Sequence, residues 1–144
     1  MNGFARKFAR SLVLLVATVP MLAVSAPAQE GSTRISNRVA EFTGIDKITG
    51  RIITFDVYID ETVQFGALQV TPRVCYSRPV TEQPKTSAFL EVDEMTLDRK
   101  IRRIFTGWML ADSPGLNAIE HPIYDIWLND CKMESDEVPP PKSS

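Results

Sequence analysis

The sequence is short of the residues from which most catalytic and metal sites are built. Its 144 residues include one histidine and two cysteines. Zinc sites prefer several His or Cys ligands, and this chain has few to offer. Any histidine-dependent chemistry must use His121. There is no Gly-x-Ser-x-Gly elbow and no glycine-rich phosphate loop. No internal repeat is visible, and the length is too small for a two-domain dinucleotide enzyme. Basic charge is not in surplus either: 16 Lys and Arg stand against 18 Asp and Glu, a net −2. Binding to a phosphate backbone needs clustered cations, so no nucleic-acid partner is expected. No apolar run reaches the roughly 20 residues that span a bilayer.

What is there begins with an export pattern. Residues 1–10 carry Arg6, Lys7 and Arg10 and no acid. Residues 11–24 are almost wholly apolar, with Pro20 near their end. Ala26-Pro27-Ala28 then places small residues where a signal peptidase reads, and Gln29 follows. This is the three-part pattern of a cleavable secretory signal over 1–28, cut between Ala28 and Gln29. Cleavage leaves 13 basic against 18 acidic residues, a net −5, and no transmembrane span. The expected compartment is the bacterial periplasm. In that oxidising compartment Cys75 and Cys131 read as one structural disulfide. Closing so long a loop stabilises a chain by roughly 4 kcal/mol in the chain-entropy model.

The mature chain alternates with period two. Residues 29–38 are polar and read as a flexible lead-in. Residues 39–47 and 51–59 flank a turn at Thr49-Gly50, and Ile53, Phe55, Val57 and Ile59 share one face. Further strands are expected over 62–65, 67–76, 87–94, 101–111 and 122–130. Pro72 marks an edge or a bulge, and a bulge would change which face Cys75 reaches. Ile104, Thr106, Trp108 and Leu110 fall on one face of their strand, and Trp108 and Trp127 read as core. Residues 133–144 are acidic, then proline-rich, and read as a disordered tail. No stretch has helical periodicity. The fold expected for 39–132 is all-β: a small antiparallel β-sandwich or barrel-like domain of about seven short strands.

Several phrases form a recognisable set: Ile45-Asp46-Lys47-Ile48-Thr49-Gly50-Arg51, Phe65-Gly66-Ala67-Leu68-Gln69-Val70, Arg73-Val74-Cys75-Tyr76 and Ile104-Phe105-Thr106-Gly107-Trp108-Met109. The most specific runs from Ser113-Pro114-Gly115 through His121-Pro122-Ile123-Tyr124-Asp125-Ile126-Trp127-Leu128 to Cys131. Over about residues 40–132 the chain resembles a bacterial exported-protein family known as domain of unknown function 2155 (DUF 2155). The resemblance implies no activity, cofactor or catalytic residue. It does imply a genetic neighbourhood, since such proteins are often encoded beside an accessory subunit of respiratory complex I.

The candidate chemistries are few. Ser113, His121 and a carboxylate from Glu120, Asp125 or Asp130 could form a triad, but the nucleophile elbow is missing. The bland alternative is a loop histidine bonding turn backbone before Pro122. No calcium loop is present, because Glu91, Asp93, Glu94 and Asp98 lack its order and its glycine. No metal and no cofactor is expected. Arg99, Lys100, Arg102 and Arg103 could dock an anionic lipid head group, a phosphorylated glycan or a partner. The plainer expectation pairs them with Glu91, Asp93 or Glu94 across the ladder. The reading as a whole is a non-enzymatic periplasmic binding or adaptor domain with an envelope protein partner. One alternative is a cell-envelope hydrolase or carbohydrate-processing enzyme. The other is a membrane-surface accessory protein of a respiratory complex.

Overall fold

A computed structural model describes residues 33–142. The export signal expected over 1–28, with its cut between Ala28 and Gln29, lies outside the described residues. Eight strands are present among the described residues: β1 (Ile35–Asn37), β2 (Val39–Asp46), β3 (Arg51–Tyr58), β4 (Val63–Phe65), β5 (Leu68–Ser77), β6 (Ser87–Met95), β7 (Ile101–Leu110) and β8 (Tyr124–Lys132). The fold is all-β. Every strand pairing is antiparallel. The eighth strand, β1, arises in the stretch read as a lead-in. Three polar or half-apolar residues carry no periodicity of their own, and β1 exists because β5 offers Cys75–Ser77 as an edge.

The strands form two sheets. The larger runs β1-β5-β6-β7, with β4 also on β5, and the smaller runs β3-β2-β8. The core between them takes Leu68, Val70, Leu90 and Val92 from the larger sheet and Phe42, Val57, Ile126 and Leu128 from the smaller. Each of these is a period-two position, so each strand buries one face and leaves the other. Fully burying a side chain such as Phe42 or Leu90 contributes about 1.5–3 kcal/mol.

Pro72 shows how local chemistry and topology agree. β4 and β1 both flank β5, but they leave a gap beside its middle. The Pro72 carbonyl accepts there from the Asp60 N–H at 2.8 Å. In a strand a residue's nitrogen and carbonyl point the same way, so the missing N–H also faces the gap. No ladder partner goes unsatisfied. The register against β6 shifts between Pro72 and Val74, as a bulge requires. Beyond it Cys75 turns fully into the core. It is bonded to Cys131 of β8 with Cα atoms 5.6 Å apart, so one crosslink ties the two sheets together.

Two expectations about facing are corrected. Trp108 is 40% exposed, and Trp127 is half-buried on the outer face of the smaller sheet. β7 sends Met109 inward, and Phe105 packs against the core as well. A register shift opposite Val92 and Asp93 disturbs the alternation at the Ile104 end of that strand.

The acidic tail begins with a fixed contact. Ser135 Oγ donates to Asp56 at 2.6 Å, and the backbone of Glu137 and Val138 donates to that same hydroxyl. Asp56 also takes an ion pair from Lys132, whose ammonium reaches Glu41 at 2.6 Å. Those two carboxylates push the Lys132 pKa well above its ordinary value.

Candidate functional site

His121 lies at the end of the loop that returns from β7 to β8. It is buried. Its Nδ1 accepts backbone N–H bonds from Ile123 and Tyr124, both at 3.1 Å. The ring proton must then sit on Nε2, which faces Glu94 Oε1 at 3.0 Å. Both nitrogens are committed. The Lys47 ammonium holds the His121 carbonyl at 2.7 Å and Asp125 at 3.1 Å. The tip of the β2–β3 hairpin, the end of β6 and the returning loop therefore meet at this residue. Tyr124 stacks on the imidazole, with centroids 5.3 Å apart. Its ring also fills the space over Gly66, where any Cβ would overlap it.

No other member of the imagined triad hydrogen-bonds the His121 ring. Ser113 is part of a turn, its N–H bonded to Leu110 and its carbonyl to Leu116. Asp125 is occupied by Lys47, and Glu120 is exposed. No group of His, Cys, Asp or Glu suited to a metal occurs among the described residues.

The basic run is largely neutralised across the ladder. Arg102 pairs with Glu94 at 2.6 Å, and Arg103 pairs with Asp93 and Glu91. Lys100 lies 3.5 Å from Asp98, both well exposed. Arg99 takes a positive φ of 63° in the turn. These pairs hold the carboxyls down: Glu94 falls below its ordinary range through Arg102 first and His121 second. Glu91 falls through its bond to Arg73.

The feature that sequence reasoning missed is on the outer face of the larger sheet. Trp108 packs edge-on against Phe89 with ring centroids 5.5 Å apart. It lies nearly parallel to Tyr76 at 6.1 Å. The Arg34 guanidinium sits 4.8 Å above the Tyr76 ring, a cation–π contact. Three strands thus contribute one aromatic each to a single outward patch, with a cation from the lead-in at its edge. Beside it opens a cleft of about 70 Å³ lined by Arg34, Tyr76, Ser77, Arg78, Lys85 and Ser87. Larger depressions around loop 78–86 also use Arg78 and Lys85. A polar lead-in arginine and two loop cations carry no motif. The period-two pattern of β7 was the available signal, once the inward face is assigned to Met109.

The family described as "Uncharacterized protein conserved in bacteria (DUF2155)" matches residues 40–131. The chain belongs to this family. The DUF2155 match begins at the start of β2 and ends at the disulfide cysteine of β8, so it covers most of the sandwich. Arg34 and β1 lie just before it. The chain is similar to Uncharacterized protein RP359 of Rickettsia prowazekii (strain Madrid E), 26% identical over 87 residues. That alignment covers 60% of this chain and 56% of the relative, so the chain matches little more than half of that protein's length. No solved structure matches the chain.

Proposed function

We propose that this DUF2155 domain is a non-enzymatic binding domain of the bacterial periplasm, and that it recognises an envelope partner through the outer face of its larger sheet. The observation that carries the reading is Trp108, 40% exposed and supported by Tyr76 and Phe89. A large aromatic on a rigid sheet offers contact area at little entropic cost, which is why such residues dominate binding hot spots. The disulfide between the sheets fits an oxidising compartment.

The hydrolase alternative draws little support from the same structure. His121 has no nitrogen left for a substrate. Ser135 is an acceptor of two backbone bonds and a donor to Asp56, and Lys132 beside it is held in its charged form, which is no base. Attachment at a membrane surface draws on the other pole. There Ile48 and Leu97 stand exposed at two hairpin tips, with Arg99 and Lys100 beside the second.

The test is co-sedimentation of the purified domain with isolated envelopes. Trp108→Ala should lower binding about tenfold or more, the scale of a hot-spot loss. Equal binding by the variant, or retention that depends only on Ile48 and Leu97, would overturn the reading.

A further inference from the structure

The cleft beside Tyr76 differs in charge from the rest of the molecule. After the export signal the chain carries a net −5, yet three cations converge here and none of the six lining residues is acidic. Arg34 and Lys85 make no ion pair among the described residues. Arg78 is shared with Glu82 at 3.3 Å, which removes part of its charge and leaves the cleft positive. Ser77 and Ser87 add hydroxyls that can donate to an oxyanion. A volume of about 70 Å³ is small for a whole ligand, but it suits one compact anionic group.

Trp108 stands next to it. Tyr76 lines the cleft, and its ring centroid is 6.1 Å from that of Trp108. Arg34 already covers one face of Tyr76, so the free aromatic surface is that of Trp108. An aromatic platform with cations at one edge selects a ligand with an apolar face and an anionic substituent on the same small unit.

We propose that this surface binds an anionic sugar, its phosphate or carboxylate held by Arg34, Arg78 and Lys85 and its ring stacked on Trp108. The proposal rests on the reading that this face is the recognition surface, and it names the ligand class.

The experiment uses the Trp127→Phe variant, which leaves Trp108 as the sole tryptophan. Its emission is titrated with glucose 6-phosphate, glucuronate, glucose and inorganic phosphate in turn. The two anionic sugars should shift Trp108 emission and bind at least about tenfold tighter than glucose or phosphate alone. Which of the two binds better separates a phosphate ligand from a carboxylate one. Arg34→Gln with Lys85→Gln should weaken both about tenfold, and added salt should do the same. Backbone amide shifts in the wild-type protein give a second readout around Tyr76 and Ser87. No response to either anionic sugar at about 10 mM, or a response indifferent to Arg34 and Lys85, overturns the proposal. If envelope binding still needs Trp108, the broader reading stands without it; if Trp108 matters to neither, both fall.

Discussion

His121 Nε2 donates to Glu94 Oε1 across 3.0 Å, joining the returning loop to the end of β6. The opposite nitrogen accepts from two backbone amides of the same loop. The histidine of this chain therefore fastens the returning loop to the sandwich.

Replacing His121 with alanine leaves the Ile123 and Tyr124 amides and the Glu94 carboxylate without this partner. Removing a buried acceptor costs about 1–3 kcal/mol. The urea midpoint of His121→Ala should fall accordingly while strand content is kept. An unchanged midpoint contradicts the structural role.

Acid should weaken the same joint. Glu94 is held below its ordinary value of 4.5 by Arg102 and His121. The folded protein keeps this carboxylate charged where the unfolded chain already binds a proton. Its stabilisation is complete above about pH 4.5 and is lost as pH falls through the lowered folded value. Glu94→Gln should be less stable than wild type at pH 7 and should show a flatter acid limb. Thermal melts between neutral pH and pH 3 check it; parallel acid limbs would refute it.

Gly66 is fixed by both backbone and neighbour. Its φ is +57°, and a Cβ there would strike the Tyr124 ring. The left-handed backbone alone costs a non-glycine residue about 1–2 kcal/mol. Gly66→Ala should lose more than that, and Gly50→Ala, with φ of +71° and open space around it, only that amount. Denaturant unfolding of the pair measures the difference, and equal losses would contradict the steric part.

The disulfide joins β5 to β8 across the core. Cys75→Ser with Cys131→Ser should cost roughly 2–5 kcal/mol and leave the strands in place. Thiol titration of denatured, non-reduced protein from the native envelope should find no free thiol. Two free thiols would remove both the staple and the support it gives to an exported domain.

Much of this architecture was legible in the chain. Period-two runs located β2, β3 and β5 to β8, because a sheet with one buried face must alternate. Pro72 announced its bulge, since a residue with no N–H needs a place where none is asked for. Facing was harder. Ile104, Trp108 and Leu110 make an apolar row, and only the bulge near Ile104 and the packing of Met109 decide that Trp108 turns outward. The basic run at 99–103 drew attention because its charges adjoin in sequence. The ladder pairs Arg102 and Arg103 with acids of β6, and pairing across strands is invisible along the chain. Arg78 and Lys85 share one loop, but Arg34 is far from both in sequence, and the pairing of β1 with β5 brings it to their cleft.

The central claim, recognition through the outer face of the larger sheet, is tested most directly by photo-crosslinking in living cells. A benzophenone amino acid is placed at position 108, or at position 54 on the exposed outer side of β3 as a control. Residue 108 should yield a discrete crosslinked species and residue 54 none. Crosslinks from position 54 alone, or from neither position, would contradict the account.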